Sequence, residues 1–374
     1  MEVRGVDSDF QLQYYLTNST SKLYSKDSEK HFSCRCSSLY TAKMSDQKNM
    51  SANERAMIQK RELPLFITKE LCAGRTYIVT GANIGLGLEA ARHLVGIGAE
   101  KVIMAVRNLD AGEEAKKDIE ESTGIKGVAE VWHLDLTSFA SVRGFASKAI
   151  ETLGRIEAVI ENAAVATNAG RAEGHHLTLT VNVISTLLLA ILLLPKLRSD
   201  ASKFGYNPRI SIVTSGTALD LGGYWPTIAE DSMANMDADN DLGMKSYPAS
   251  KLMEIFAVRE IAKLLPVARG GVIINSINPG LCVTNLSRNA PQELKDRLKD
   301  MWEKSGRTAE CGSRTLLAGA VGGKDSHGSY MDDCVPSDNL LPDWMDAKAN
   351  KQAWDSIVRE LEKIEPGSVS KALE

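Results

Sequence analysis

From Leu71 onward, six short apolar and β-branched runs punctuate the chain: TYIVT, KVIMAV, AEVWHL, IEAVI, RISIVT and GVIINSI. None alternates apolar with polar positions, which predicts strands buried on both faces of a parallel sheet. Between them, apolar residues recur with the 3.6-residue period of a helix over 110–122, 138–152, 174–197 and 246–265. The alternation predicts an α/β fold, a Rossmann-type doubly wound parallel sheet of about seven strands with helices on both faces. Residues 1–65, rich in Ser, Lys and Asp, hold no sustained period and read as a flexible extension, while 341–374 read as an amphipathic helix and tail. Two stretches break the rhythm, 216–245 and 281–335. Both follow strand C-termini, where ligands bind in such sheets.

Composition narrows the partners. A net charge of -4 and a pI near 6.0 give no broad basic field, which argues against nucleic acid and for a small molecule. The longest strictly apolar run, 187–195, falls short of the ~20 residues of a membrane span and predicts a buried helix instead. The opening MEVRGVDSDF has no apolar core of a secretory signal. Cys34, Cys36, Cys72, Cys282, Cys311 and Cys334 form no CxxC and sit beside no His cluster, so neither a metal site nor a disulfide framework is expected. Reduced thiols in the cytoplasm are the expectation.

The stretch TYIVTGANIGLGLEAA passes from a predicted strand into a helix beginning near Gly85. Gly81, Gly85 and Gly87 permit a tight turn and close approach of a pyrophosphate, whose charge meets the helix N-terminus, with Asn83 and Ile84 in the same loop. After the second strand, Arg107 stands where an acid would bond the 2'-hydroxyl of NAD and an Arg accommodates the 2'-phosphate of NADP. This favours NADP(H) over NAD(H), the alternative being a solvated surface charge. Asp135, ending HLD, either bonds the adenine amino group or caps the helix near Ser138.

Tyr247 and Lys251 lie four residues apart on one helix and share a face. An ammonium beside a phenol favours the phenolate and brings it toward the range of a working acid or base. Ser215, after the fifth strand, is placed to orient a substrate oxygen. Asn182 falls in an apolar helical run, where a buried amide needs a partner: a relay water or a neighbouring carbonyl.

With these residues in view, the sequence resembles the short-chain dehydrogenase/reductase family over roughly 71–335, in its glycine spacing and in Asn182, Ser215, Tyr247 and Lys251, which match the family's catalytic tetrad in order. The resemblance implies that residues 66–340 form an NAD(P)-binding catalytic domain. Tyr247 would be the acid/base, Lys251 would lower its pKa and hold the nicotinamide ribose, Ser215 would position the carbonyl or alcohol, and Asn182 would anchor the relay water. INPGLCVTNL implies that Pro279, Gly280 and Thr284 line the nicotinamide pocket. Where the family has Asn-Asn-Ala-Gly, this chain has Glu161-Asn162-Ala163-Ala164, with Asn162 at the cofactor. TGANIGLG followed by VRN is most similar to the retinol-dehydrogenase-like branch and fungal secondary-metabolism reductases. That similarity implies a hydrophobic carbonyl or alcohol substrate in polyketide or terpenoid biosynthesis. A non-catalytic dinucleotide sensor on the same fold is the alternative.

The 32 positions from Ser215 to Tyr247 exceed the family's usual interval and imply an inserted lid, with Tyr224 and Trp225 as an aromatic wall. The Leu-rich helix 177–197 is apolar nearly all round and has to bury its outer face, either in a homodimer, as the family's helices do, or beneath the N-terminal extension.

Overall fold

Each of the six runs forms a strand: β1 (Thr76–Thr80), β2 (Lys101–Val106), β3 (Ala129–His133), β4 (Ala158–Glu161), β7 (Arg209–Val213) and β8 (Ile273–Asn278), with β5 (Arg171–Ala172) and β6 (His175–His176) forming a separate hairpin. The computed structural model describes residues 46–374 apart from positions 168, 240, 241, 289 and 291. The expectation for residues 1–45, with Cys34 and Cys36, lies outside the described residues. Two strands carried no recognisable run, β9 (Tyr330–Asp332) and β10 (Val335–Pro336). The sheet is eight-stranded in the order β10-β9-β8-β7-β4-β1-β2-β3, seven strands being parallel and β10 antiparallel to β9. β1 pairs with β2 on one side and β4 on the other, so the strand order reverses there and opens a crevice at the carboxyl ends.

Side chains alternate across the sheet. Ala158 and Ile160 of β4 face the layer of α1 (Gly85–Ile97), α2 (Leu109–Thr123) and α6 (Ala309–Ala320). Val159 faces α3 (Phe139–Thr152), α4 (Thr186–Phe204), α5 (Ser246–Leu264) and α7 (Ala347–Ile364). Asn108 caps α2 and Ser138 caps α3, each side chain accepting a backbone N–H three residues on. Ser138 therefore takes the role considered for Asp135, whose carboxylate accepts from the Thr137 N–H at 2.9 Å and the Thr137 hydroxyl at 2.8 Å. Cys72, Cys282, Cys311 and Cys334 are free thiols, and among the described residues no group of His, Cys, Asp and Glu is placed to hold a metal.

Three expectations change. The segment Leu179–Phe204 is long and apolar enough by composition to cross a membrane, with mean hydropathy 1.9, yet 83% of that window is buried inside the protein. The outer face of α4 is covered by α3 and by the chain's own C-terminal helix, Ser368–Leu373, where Arg198 Nη1 donates to the Ala372 carbonyl at 3.0 Å. The described chain itself therefore covers this face.

The 1–65 extension does not read as flexible where it is described. Helix Ala52–Ile58 opens with a capping box from Ser51 and Glu54, and Leu63 is buried. The Gln59 amide donates to the carbonyls of Leu281 at 2.9 Å and Ser305 at 2.7 Å and accepts from the Leu281 N–H at 2.8 Å. These are side-chain-to-backbone ties, which leave no apolar period in the sequence.

Among its described residues, the 216–245 stretch puts neither Tyr224 nor Trp225 on the cleft as an aromatic wall. Trp225 is buried with its ring 4.9 Å from that of Phe256 on α5, and Trp344 packs edge-on to Phe256 at 6.4 Å. Tyr224 donates to Asp239 at 2.9 Å. An aromatic pair in a polar loop here anchors the loop to the core.

Candidate active site

The crevice above β1 and β4 holds a cavity of about 450 Å³, within the range of small-molecule sites. Its floor is the glycine loop. Gly81 and Gly85 hold φ of 66° and 60°, the left-handed region where a Cβ is strained. Gly87 fails for a different reason: a Cβ there would lie 2.5 Å from the Gly81 carbonyl oxygen and 2.6 Å from Asn162 Nδ2. Asn162 is fixed in turn, Nδ2 donating to the Thr80 carbonyl at 2.9 Å while its own N–H and that of Ala163 both donate to the Thr80 hydroxyl at 2.9 Å. α1 begins after Ile84 with no side-chain cap, so its first N–H groups face the cleft without a protein acceptor from that residue.

Asn83, Ile84, Arg107 and Asp135 line the cleft at one end, Pro279 and Thr284 along its side, and Tyr247 and Lys251 at the other end. Arg107 is exposed and, among the described residues, makes no hydrogen bond or ion pair, so its guanidinium is free for an anion. Sequence reasoning missed Arg288, a second cation on the cleft, and Thr137 beside Asp135. Arg288 carried a signal, an exposed cation four residues after Thr284. Ala164 also lines the cleft, and its φ is not positive, so the missing glycine imposes no backbone strain. This cradle fits a dinucleotide: left-handed glycines, an open helix N-terminus and a free cation converge on it.

Ser215 and Asn182 lie behind the lining. The Ser215 hydroxyl, 3.0 Å from Thr217 Oγ1, is also the hydrogen-bond partner that favours the phenolate of Tyr247. Asn182 is completely buried in a π-helical turn, Leu179–Ser185, with Oδ1 accepting from the Val165 N–H and Nδ2 donating to the Val165 carbonyl and to Ser250 Oγ, each at 2.9 Å. Its side chain thus bonds a neighbouring carbonyl, the second of the two uses considered for it, and ties the cleft wall at Val165 to α5.

The pair itself differs from expectation. Lys251 is buried, donating to the Val213 carbonyl at 2.7 Å and to Glu254 Oε1 at 2.8 Å, with its Nζ 5.7 Å from the Tyr247 ring centre. Burial pushes the Tyr247 phenol well above its ordinary range, and Glu254 pushes it the same way, against the Ser215 bond. Burial and Glu254, rather than Lys251, set the direction of the phenol's shift. Burial likewise lifts the Glu254 carboxyl to about 7, against the pull of Lys251.

Glycines at a strand–helix turn, a cation at one end of the crevice, and a Tyr and Lys at the other define a nicotinamide-dinucleotide oxidoreductase. The family model described as short chain dehydrogenase matches residues 75–219. The chain is 39% identical over 310 residues to the short chain dehydrogenase/reductase dmxR8 of Cryptosporiopsis sp. (strain 8999), covering 80% of this chain and 94% of that one. It is 37% identical over 305 residues to the short-chain dehydrogenase anuD of Penicillium roqueforti (strain FM164), covering 79% of each. The protein belongs to the short-chain dehydrogenase/reductase family and is an oxidoreductase. Its fold matches that of an NADPH-bound carbonyl reductase from chicken fatty liver, with TM-score 0.53 at 20% identity over 70% of this chain and 97% of that one. It also matches the Pseudomonas aeruginosa RhlG/NADP active-site complex, with TM-score 0.52 at 23% identity over 69% and 94%.

Proposed function

We propose that the protein is an NADP(H)-dependent reductase or dehydrogenase acting on a carbonyl or alcohol of a hydrophobic small molecule. The observation that carries this reading is a single cleft with the free Arg107 at one end and Tyr247 beside Lys251 at the other. Gly81, Gly85 and the N-terminus of α1 would hold the pyrophosphate, Arg107 the 2'-phosphate, and Pro279 and Thr284 the nicotinamide end. The bound cofactor supplies or accepts a hydride at the reacting carbon. Tyr247 gives or takes the proton at the oxygen, and Ser215 orients that oxygen through the hydrogen bond it shares with the phenol. Asn182 acts as a positioning residue through Val165 and Ser250. Val165 and Leu286 on the cleft supply apolar contact for the substrate. The wider setting we assign is polyketide or terpenoid secondary metabolism, following the resemblance to fungal reductases.

The test is NADPH absorbance followed against a panel of lipophilic ketones, aldehydes and retinoids. Turnover supports the reading, whereas tight NADPH binding with no turnover on any of them favours the dinucleotide sensor. Arg107→Asp separates the cofactors: NADPH affinity is expected to fall about 10–100-fold, the loss of one or two charge-assisted hydrogen bonds, with NADH affinity changed far less. Equal losses in calorimetric titrations with the two cofactors would remove Arg107 from the phosphate site.

A further inference from the structure

The slab between β4, β7 and α5 contains more charge than the reaction as described uses. Glu161, the last residue of β4, follows Val159 in the alternation and so faces α5, where Lys251 and Glu254 stand one turn apart. Glu161 and Glu254 are 3% and 1% exposed. Glu254 Oε1 accepts from Lys251, but its Oε2 has no protein partner, and neither do both oxygens of Glu161. A buried carboxylate left unbonded costs several kcal/mol, so such a group keeps its proton. Lys251 balances the carboxylate of Glu254, to which it is bonded, whereas Glu161, buried with neither oxygen bonded, keeps its proton.

We propose that Glu161 and Glu254 are positioning residues for the oxidoreductase reaction: a buried carboxyl pair that retains one proton, fixes Lys251 and sets the pH at which Tyr247 exchanges its own. The proposal rests on the role assigned to Tyr247 above. Burial holds the Glu161 carboxyl well above the ordinary carboxylate range and the charge of Glu254 adds to this. The other elements packed on this slab bring no competing charge. The π-helical turn and β8 carry only neutral residues, and β7 brings Arg209, which is engaged at the far end of the strand by Glu157. Asp220, after β7, is held by Arg55, and Lys245, just before α5, lies over the Tyr224 ring; on α7 Lys351 pairs with Asp355, Lys363 with Glu360 and Arg359 with Asp231, Glu362 accepts from the Gly367 and Val369 N–H groups, and Lys348 is exposed. On α6, across the sheet, Glu310 pairs with Arg314. The remaining influence on the Tyr247 phenol is the Cys282 thiol, from the loop after β8.

The pair makes stability depend on pH in a defined direction. Its folded-state proton affinity exceeds that of an unfolded Glu, so the stabilisation is complete at low pH and is lost as pH rises through the folded-state values. The melting temperature of the wild type is expected to fall relative to Glu161→Gln as pH rises from the ordinary carboxylate value of 4.5 through neutrality.

Two measurements on the full chain, neither needing a substrate, test the pair separately from turnover. In infrared difference spectra, wild type at neutral pH is expected to show a protonated-carboxyl C=O band that Glu161→Gln lacks. Glu161→Asn, the family's residue, replaces that variant if it does not fold. In ultraviolet titrations of the tyrosinate assigned against Tyr247→Phe, Glu254→Gln is expected to move the Tyr247 midpoint down by about one pH unit or more, as removal of a nearby buried charge does. No protonated band, a band unchanged at position 161, or an unmoved midpoint overturns the proposal. Absence of turnover with both signatures intact overturns only the assigned reaction.

Discussion

Tyr247→Phe is expected to lower kcat about 10²–10⁴-fold, the usual contribution of one positioned acid or base, while NADPH affinity changes by no more than about threefold. The substitution removes only the hydroxyl. The ring keeps its place on α5, Lys251 keeps its bonds to Val213 and Glu254, and the glycine loop is untouched. The split between binding and turnover is the diagnostic, because a merely structural Tyr would lose both together. NADPH titration by fluorescence, run beside NADPH oxidation on the best carbonyl of the panel, measures the two quantities. Turnover within about tenfold of wild type would mean that another group, Ser215 first, delivers the proton.

Gly87→Ala is expected to be the most damaging change in the cofactor loop. The new Cβ would meet the Gly81 carbonyl and Asn162 Nδ2 well inside contact distance, and neither can retreat: one is backbone, the other is bonded to Thr80. Overpacking of this kind costs about 1–3 kcal/mol. The start of α1 has to move off the phosphate position, so NADPH affinity should fall at least about tenfold along with the melting temperature. Gly85→Ala offers a contrast, since its Cβ would find Thr284 Cγ2 at an ordinary 3.6 Å and would pay only for the left-handed φ, about 1–2 kcal/mol. Thermal unfolding with and without NADPH ranks the two. Wild-type affinity in Gly87→Ala would mean that this close approach does not set the loop.

Much of the fold was readable because its signals are local. Strand runs such as KVIMAV and caps such as Asn108 and Ser138 depend on neighbours a few residues away, and Tyr247 and Lys251 share a helix face by spacing alone. What escaped was long-range. Nothing near Trp225 tells that Phe256 and Trp344 will receive it, so an aromatic in a polar loop read as a wall facing substrate. Glu161 was visible as a departure from Asn-Asn-Ala-Gly, but its companion Glu254 lies on a helix formed by a much later part of the chain. β9 and β10 are too short to carry a pattern, and the cover over α4 comes from the last residues of the chain.

The Gln59 clamp bears on how the molecule assembles. It spans 222 residues to Leu281, and Arg55 similarly reaches the Gly216 carbonyl at 3.2 Å, next to Ser215. Contacts that close loops of this length repay their entropy only after the intervening sheet exists. The segment that leaves the ribosome early is therefore fastened late, and the cleft rim at Pro279–Cys282 waits for it. A protein trimmed to residues 66–340 would retain every strand and every reacting group, yet would present its nucleotide with an unlatched door.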